Sequence, residues 1–264
     1  RFIMAEKSKY LEVHPFLKLG KRAAKRDKRN IMLAGVLKVL PPVPDQWDFD
    51  LDVAKGPIPT PVFANDWLGD CVIAGRAHMT LRFEYFEQSG QILPITDKIV
   101  VNQYKREGGG MGPDNQGLIM IDSLKRWRKT GWTIAKHKYR IYAFTEMDRG
   151  NTNEVKVAIR YLNGVYVGLS LPNCWQEQFQ RGQPWDIVSG PNGKPNHNSG
   201  HCVYICGYNQ NGPVCVTWGK KQQMTWKFFT TCCDEAYAIV DMRDSFVKNS
   251  PVDMVKLSNI IKQL

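Results

Sequence analysis

One cysteine lies where a helix is predicted to begin, a position that can activate a thiol. In the stretch NDWLGDCVIAG (65–75), Cys71 follows a turn and directly precedes apolar residues at helical spacing. The unpaired N–H groups and the positive dipole end of a helix N-terminus favour the thiolate over the thiol. The charge of Asp70 opposes this effect unless its carboxylate caps the helix. Cys71 is therefore a candidate nucleophile if a base lies within reach, and otherwise a buried structural cysteine.

His201 is the histidine whose position suits that base. His78 lies on the same predicted helix as Cys71 but about 10 Å farther along its axis, which is beyond the range of proton transfer. His201 begins a predicted strand directly after a loop, so the sheet would hold its ring beside a cleft. The remaining histidines lie in basic or flexible stretches: His14, His137 and His197.

Thr217 can orient the imidazole. A histidine that acts as a base needs a partner for its second ring nitrogen. If the strands on either side of the turn NQNG (209–212) pair, the numbers of facing residues add up to about 421. That register brings the Thr217 hydroxyl or the Trp218 ring to His201.

The hydrophobic pattern changes its period along the chain. Helices are predicted at 71–90, 97–106, 116–129 and, after a cap at Asn151 or Thr152, at 154–164. Strands are predicted at 165–171, 201–208, 213–219, 225–231 and 237–242. A last helix is predicted with Ser250, Pro251 and Asp253 as N-cap, N1 and N3. Helices followed by strands predict an α+β fold.

The positive charge is concentrated near the N-terminus. Residues 1–40 carry 11 Lys and Arg against 3 Asp and Glu, which is +8 of the net +11. Such a segment can bind nucleic acid or an acidic assembly, or it can be a solvated tail. The prolines at 41–44 mark its end, so we predict a basic extension (1–40), a domain (41–248) and a C-terminal helix (249–264). The candidate contact residues are Lys18, Lys21, Arg22, Lys25, Arg26, Lys28 and Arg29.

Other classes of protein are disfavoured by the sequence. Seven cysteines without a C-x-x-C pair fit neither a disulfide framework nor a paired-ligand zinc site, so no metal or other cofactor is predicted. Cys202 and Cys206 are interpreted as apolar fillers of a strand. No apolar run reaches the roughly 18 to 20 residues of a membrane helix, and no signal peptide is visible. We therefore expect no membrane partner, and an intracellular or virion-associated location is favoured.

The residues taken together resemble the papain-like cysteine peptidases, and most closely the compact forms of bacteria and their phages. The resemblance covers about residues 41–242 and rests on the run from PDQWDFD to NDWLGDC, on SGHCVYICGY and on VCVTWG. Cys71 precedes His201 by 130 residues and Thr217 by 146, within the roughly 130 to 150 residues of that arrangement. It implies an N-terminal helical lobe, with a long central helix, packed on a C-terminal antiparallel sheet lobe.

The resemblance also implies a role for each residue in a hydrolase that cleaves peptide or isopeptide bonds of a polypeptide. The implied nucleophile is Cys71, the implied base is His201, and the implied orienting group is Thr217. The implied oxyanion donors are the Asn65 side chain and the Cys71 N–H. Trp218 and Gly219 form the implied supporting segment.

Three departures from the family pattern leave other hypotheses open. Asn65 stands where the family has glutamine, Asp70 where it has a neutral residue, and Thr217 where it has asparagine. One alternative is a weakened or inactive papain-like structural or binding protein, associated with a phage, whose basic arm holds nucleic acid or an assembly. Another is that residues 1–40 form a prosegment that occludes the cleft. A Cys–His cell-wall amidase is disfavoured, because those domains are usually shorter and lack the Trp-Gly segment.

Overall fold

A computed structural model describes residues 17–241 and 250–263 of the chain. His14, the rest of the extension before residue 17, residues 242–249 and Leu264 lie outside the described residues. The helices are α1 Phe49–Asp52, α2 Cys71–Glu87, α3 Asp97–Arg106, α4 Met120–Lys129, α5 Thr152–Tyr161, α6 Trp175–Gln180, α7 Trp226–Cys232 and α8 Met254–Gln263. The strands are β1 Trp47–Asp48, β2 Trp132–Ile134, β3 His137–Tyr139, β4 Ile141–Glu146, β5 Val165–Ser170, β6 Gly200–Tyr208, β7 Pro213–Thr217, β8 Lys220–Gln223 and β9 Cys233–Asp241.

Most of these strands form one antiparallel sheet. Within the described residues it has seven strands in the order β4-β9-β5-β6-β7-β8, and β1 pairs with the end of β6. Strands β6 and β7 pair with Tyr204 opposite Val216 and, after a bulge, Tyr208 opposite Pro213. The numbers of these pairs add up to 420 and 421, so the register predicted from the sequence is confirmed.

Both faces of the sheet are covered, which explains why its central strands are apolar throughout. Successive side chains of a strand point to opposite faces. Tyr166 and Tyr204 pack in the cluster around α2 and α4, whereas Val167 and Val203 pack in a second cluster with α5 and α7. The helical half therefore lies on one side of the sheet, as the helical and sheet lobes predicted from the sequence require.

Helix α2 lies very close to the sheet. A Cβ atom added at Gly75 would lie 3.1 Å from the Tyr166 ring and 3.5 Å from the Cys202 sulfur. The Tyr166 hydroxyl donates to the Val72 carbonyl in the first turn of α2. A small residue at this position thus lets the helix start approach the middle of β5 and β6.

Several predicted elements are confirmed and others are wrong. The helix at 97–106 is found with the same bounds, and α2 ends three residues before the predicted position 90. The predicted strand 225–231 is wrong: the Thr225 side chain accepts a hydrogen bond from the Phe228 N–H at 3.0 Å and caps helix α7 instead. Helix α8 begins at Met254, three residues later than predicted, because Asp253 rather than Ser250 caps it.

The described part of the basic extension packs along the domain. Leu33 and Val36 are fully buried in the cluster behind the sheet. The Glu146 N–H donates to the Ile31 carbonyl at 2.8 Å, and the Lys38 N–H donates to the Pro251 carbonyl at 2.8 Å. Residues 17–40 therefore bridge the sheet lobe and the start of α8.

A buried ion pair ties α2 to α1. Arg82 donates from Nε and Nη2 to the two carboxylate oxygens of Asp50, both at 2.9 Å, and both side chains are buried. Lys221 of β8 also lies 3.0 Å from Asp50. A buried pair of this kind is costly to break, because the remaining charge has no solvent to compensate it.

We expect Asp50→Ala to lower the free energy of unfolding by about 3 to 5 kcal/mol, since it leaves Arg82 buried without its carboxylate. Urea unfolding followed by circular dichroism measures the change. The matched control is Glu177→Gln, which removes the exposed pair Glu177–Arg181 and should change the stability by less than about 0.5 kcal/mol. Equal, small losses in both variants would contradict a structural role for the buried pair.

Candidate active site

The start of α2 and the start of β6 meet at the sulfur of Cys71. Cys71 is the first residue of α2 and only 1% of it is exposed. Its Sγ accepts a hydrogen bond from the Cys202 N–H at 3.4 Å. Cys202 directly follows His201, so this contact brings the candidate nucleophile to the residue next to the candidate base, although 130 residues separate the two in the chain.

His201, Thr217 and Trp218 form one packed group. The Nε2 atom of His201 lies 2.8 Å from the Thr217 hydroxyl. The Trp218 ring stacks on the imidazole at 4.0 Å between centroids, with an angle of 11° between the planes. Trp175 stacks on Trp218 in turn, at 4.8 Å. The ring of His201 is thus held in one orientation by a hydrogen bond and an aromatic stack.

The second ring nitrogen of His201 is able to accept a proton. Nδ1 is buried and has no hydrogen-bond partner among the described residues. Burial lowers the pKa of His201 to about 3, so the imidazole is neutral in this arrangement. A neutral imidazole with one nitrogen bound and the other unpartnered can accept a proton from a donor that reaches Nδ1.

Asn65 lies in the same neighbourhood, and its amide is already bound. Its Nδ2 donates to the Leu68 carbonyl at 3.0 Å and to the Lys18 carbonyl at 3.3 Å. The first of these bonds lies within the loop that leads to Cys71. The second is made to the Lys18 carbonyl of the N-terminal extension, which occupies a position that the oxygen of a bound ligand could take.

Residues 17–22 of the extension, which we call the cleft segment, lie directly over this site. On one side the Lys21 N–H donates to the Gly200 carbonyl at 3.1 Å. On the other side the Arg22 N–H donates to the Leu118 carbonyl at 2.9 Å, and the Leu118 N–H donates to the Gly20 carbonyl at 2.8 Å. The cleft segment is therefore held between the helical lobe and the sheet lobe, like a peptide bound by its backbone.

Glycines make this close approach possible. A Cβ atom at Gly20 would lie 1.7 Å from the Gly69 carbonyl oxygen, and one at Gly117 would lie 2.0 Å from the Gly20 oxygen. A Cβ atom at Gly200 would lie 2.1 Å from the Lys21 oxygen. These contacts were not predicted from the sequence, although Gly69, two residues before Cys71, and Gly200, directly before His201, were available signals.

The prediction of a lowered thiol pKa is wrong for this arrangement. Burial raises the pKa of Cys71 to about 12, and the nearby Asp70 adds to the increase. The N–H groups of Cys202 and Gly20 act in the opposite direction and only partly offset the burial. The helix N-terminus is where the sequence places it, but the cleft segment removes the water that a thiolate needs.

The sequence left open whether the Asp70 carboxylate caps the helix, and it does not. Its side chain makes no capping bond, and neither carboxyl oxygen has a hydrogen-bond partner among the described residues. Burial raises the pKa of Asp70 to about 8. The residue is therefore mostly a neutral carboxylic acid at pH 7, which weakens its effect on the neighbouring sulfur.

The remaining candidates are not at the site or lie at its edge. His78 is buried and packs on Phe63 at 4.9 Å. The Nδ1 of His197 lies 3.2 Å from the Ser170 hydroxyl, near the end of β5. Cys202 and Cys206 are buried on β6, as predicted for apolar fillers. Gly219 has a positive φ of 83° and follows Trp218 at the turn into β8.

The described residues contain neither a metal-ligand cluster nor a membrane-spanning helix. Across 17–241 and 250–263, no group of three or more His, Cys, Asp and Glu side chains could hold a metal ion. None of the helices in these ranges is long and apolar enough to cross a lipid bilayer.

Solved structures match this fold, whereas sequence comparisons give no match. No protein-family model matches the chain, and no curated protein sequence matches it either. The chain is similar to xylellain, a cysteine protease from Xylella fastidiosa, with a TM-score of 0.67 and 15% identity over 89% of this chain and all of that one. It is similar to procathepsin B S9 from Trypanosoma congolense, with a TM-score of 0.57 and 11% identity over 84% of this chain and 87% of that one.

A third similar structure is a cysteine protease from Carica candamarcensis in complex with E-64. Its TM-score is 0.54, with 14% identity over 76% of this chain and the whole of that one. The α+β fold predicted from the sequence, with a helical lobe on an antiparallel sheet lobe, is confirmed by these matches. The chain has the papain-like cysteine protease fold.

Proposed function

We propose that the chain is a thiol hydrolase that cleaves peptide or isopeptide bonds in a polypeptide, with Cys71 as nucleophile and His201 as base. The observation that carries this proposal is that the Cys71 sulfur accepts a hydrogen bond, at 3.4 Å, from the N–H of Cys202, the residue that directly follows His201. The fold shared with cysteine proteases supports it further.

The proposed reaction has two steps. The Cys71 thiol passes its proton to Nδ1 of His201, and the sulfur attacks the carbonyl carbon of the substrate. The carbonyl oxygen becomes an oxyanion, and the imidazolium returns the proton to the leaving amine as the C–N bond breaks. Water then attacks the carbonyl carbon of the resulting thioester and gives a proton to His201. The imidazolium returns this proton to the sulfur as the C–S bond breaks, which releases the carboxylic acid and the free thiol.

The three departures from the family pattern are compatible with this chemistry. The Thr217 hydroxyl can accept a hydrogen bond from Nε2 of the imidazolium, because the two atoms lie 2.8 Å apart. Asn65 can donate to the oxyanion if its Nδ2 exchanges the Lys18 carbonyl for the substrate oxygen. Burial raises the pKa of Asp70 to about 8, which weakens its opposition to a negative sulfur near pH 7.

We propose in addition that the cleft segment holds the enzyme in a latent form. The segment lies over Cys71 and occupies the Asn65 amide. One of the similar structures is itself a procathepsin. Displacing residues 17–22 would return water to Cys71 and His201, and the charged thiolate and imidazolium forms would become accessible.

The nucleic-acid alternative stays a prediction. Three of the seven basic side chains assigned to that contact pair with acids of this chain: Lys21 with Asp234, Lys25 with Asp122, and Arg29 with Asp27. Part of the positive charge of the extension is thus used internally. Retention on DNA that weakens with salt, and that depends on Lys18, Arg26 and Lys28, would favour the alternative.

The occlusion is tested by the reactivity of Cys71. In the intact chain we expect Cys174, which is only partly buried, to react with iodoacetamide before Cys71, because Cys71 is buried and its pKa is raised to about 12. Gly20→Ala forces the segment away from Gly69. In that variant we expect Cys71 to react at least about ten times faster, with an inflection below the ordinary thiol pKa of about 8.5.

Peptide mapping by mass spectrometry gives the rate at each cysteine between pH 5 and 10. Gly35→Ala is the matched control, since Gly35 lies in the same extension and a Cβ atom there meets nothing within 4 Å. Equal Cys71 rates in the intact chain, the control and Gly20→Ala would refute the occlusion.

The role of Thr217 is tested on the Gly20→Ala background with a fluorogenic peptide library. Cys71→Ser and His201→Ala should reduce hydrolysis to the background rate. Thr217→Val removes the hydroxyl at nearly constant volume and should lower kcat/KM by about 10- to 100-fold, the value of one hydrogen bond to a charged group. Thr217→Ser, which keeps the hydroxyl, should stay within about threefold of its parent.

The pH profile separates orientation of the ring from a general structural defect. Without the hydroxyl the imidazolium loses an acceptor, so its pKa falls and the alkaline limb of the kcat/KM profile should move to lower pH. Thr230→Val, at an exposed position of α7, is the control and should leave the profile unchanged. Loss of rate in Thr217→Val without a shift of this limb would argue against an orienting role.

A further inference from the structure

A lysine of the cleft segment is buried in a pocket of the sheet lobe. Only 1% of the Lys21 side chain is exposed. Its Nζ lies 3.0 Å from a carboxylate oxygen of Asp234 and 3.3 Å from one of Glu235. It also donates to the Arg22 carbonyl at 3.2 Å. The ammonium group thus makes two hydrogen bonds, to Asp234 and to the Arg22 carbonyl, and a further ion pair with Glu235.

A β-bulge brings the two carboxylates together. Neighbouring side chains of a regular strand point to opposite faces, so Asp234 and Glu235 would normally be separated. In the pairing of β5 with β9, Gly168 faces Glu235 and Leu169 faces Cys233, which leaves Asp234 as the extra residue. The bulge re-aims the Asp234 side chain toward the same point as Glu235.

The rest of the pocket is also built by the sheet lobe. Tyr237 donates to Glu235 at 3.0 Å, and Ser170 donates to Asp234 at 2.9 Å. Gly168 provides the space, since a Cβ atom there would lie 2.0 Å from Cε of Lys21. A cavity of about 690 Å³ continues from these side chains beneath residues 23–28, which leaves room for a longer cationic group. The acidic and hydroxyl side chains of the pocket therefore belong to the sheet lobe, whereas the cavity beyond them is also lined by residues 23–28 of the extension.

The pocket lies next to the proposed catalytic residues. The backbone N–H of Lys21 donates to the Gly200 carbonyl at 3.1 Å, and Gly200 directly precedes His201. The preceding residue, Gly20, lies close enough to Cys71 for its N–H to affect the thiol pKa. A peptide bound in the cleft with its bond near Cys71 would thus place one of its side chains at this pocket.

We propose that the pocket formed by Gly168, Ser170, Asp234, Glu235 and Tyr237 selects a lysine or arginine side chain of the polypeptide substrate. The inference rests on the proposed function, and it names the substrate class of that same site. An apolar side chain would bury two carboxylates without a counter-charge, and a site built to bind a charged group discriminates strongly against its absence. Lys21 is then an internal occupant of the substrate pocket.

Hydrolysis by the full chain with Gly20→Ala is the first test. The substrates are pairs of peptide aminocoumarin amides. The two peptides of a pair differ at one position, which is lysine in one and norleucine in the other. This position is varied along the acyl side of the bond to be cleaved. We expect one position at which lysine exceeds norleucine by about 10- to 100-fold in kcat/KM, and at which arginine is also accepted. The absence of such a position in a chain that hydrolyses the library would overturn the proposal.

The pocket residues are tested with the same pairs of substrates. Asp234→Asn with Glu235→Gln should bring the lysine-to-norleucine ratio to within about threefold, because the ammonium then has no counter-charge. Glu177→Gln removes an exposed carboxylate of α6 and should leave the ratio unchanged. A ratio that survives the double substitution would assign the preference to another part of the cleft.

Binding distinguishes failure of the pocket from failure of the proposed function. If the Gly20→Ala chain hydrolyses nothing, the thiol hydrolase proposal fails, and the pocket is tested with a fluorescent peptide LKLGKRA (residues 17–23) on Gly20→Ala with Cys71→Ser. Fluorescence anisotropy should show at least about tenfold weaker binding when norleucine replaces the lysine that matches Lys21. Equal affinities of the two peptides would overturn the proposal.

A last measurement does not need Gly20→Ala, should that variant fail to fold. In the otherwise unchanged chain, Lys21→Met removes the ammonium group and should raise the iodoacetamide rate of Cys71 by at least about tenfold, because the cleft segment is held less tightly. Lys21→Arg should keep the slow rate. If Cys71 reacts as slowly in Lys21→Met as in the unchanged chain, the pocket does not select a cation.

Discussion

The close contact between α2 and the strands β5 and β6 is the constraint on which the site depends. A helix normally keeps its distance from a sheet because side chains separate them. Here Gly75 leaves only 3.1 Å between a hypothetical Cβ atom and the Tyr166 ring, and the Tyr166 hydroxyl binds the first turn of α2. This approach brings the Cys71 sulfur to the N–H of Cys202, the residue that directly follows His201. A larger residue at Gly75 would move the helix start away from both.

The protonation state of the Cys71 thiol results from two opposing electrostatic effects. The helix N-terminus and the N–H groups of Cys202 and Gly20 favour a negative sulfur. The removal of water favours the neutral form and prevails, so that the pKa of Cys71 is raised to about 12 while that of His201 is lowered to about 3. Both shifts have burial as their main cause. One displacement of the segment would therefore act on nucleophile and base together.

In the described residues, charged, polar and apolar contacts attach the extension to the rest of the protein. Lys21 is compensated by Asp234 and Glu235 inside the sheet lobe, and Asn30 donates to Glu146 at the edge of the sheet. Leu33 and Val36 add apolar anchors behind the sheet. The extension is thus attached at several separate points, and its net charge alone does not describe what it contacts.

The sequence by itself determined the local features of this protein. The helix start at Cys71, the helix at 97–106 and the register of β6 with β7 follow from apolar spacing and from the turn NQNG, which depend only on neighbours in the chain. The resemblance to a family gave the lobes and assigned roles to His201 and Thr217. The strand predicted at 225–231 failed because β-branched and aromatic residues fit both states until the Thr225 cap and the burial of Phe228 decide between them.

Only the tertiary structure decided the environment of the site. Burial is set by what lies on top of a residue, and residues 17–22 come to Cys71 from about 50 positions away, without any local signal of their destination. The pairing of Lys21 with Asp234 and Glu235 joins residues more than 200 positions apart through a β-bulge. Desolvation and charge pairing depend on distances in space, so the same residues that the sequence identified as reactive are, in this fold, covered and neutral.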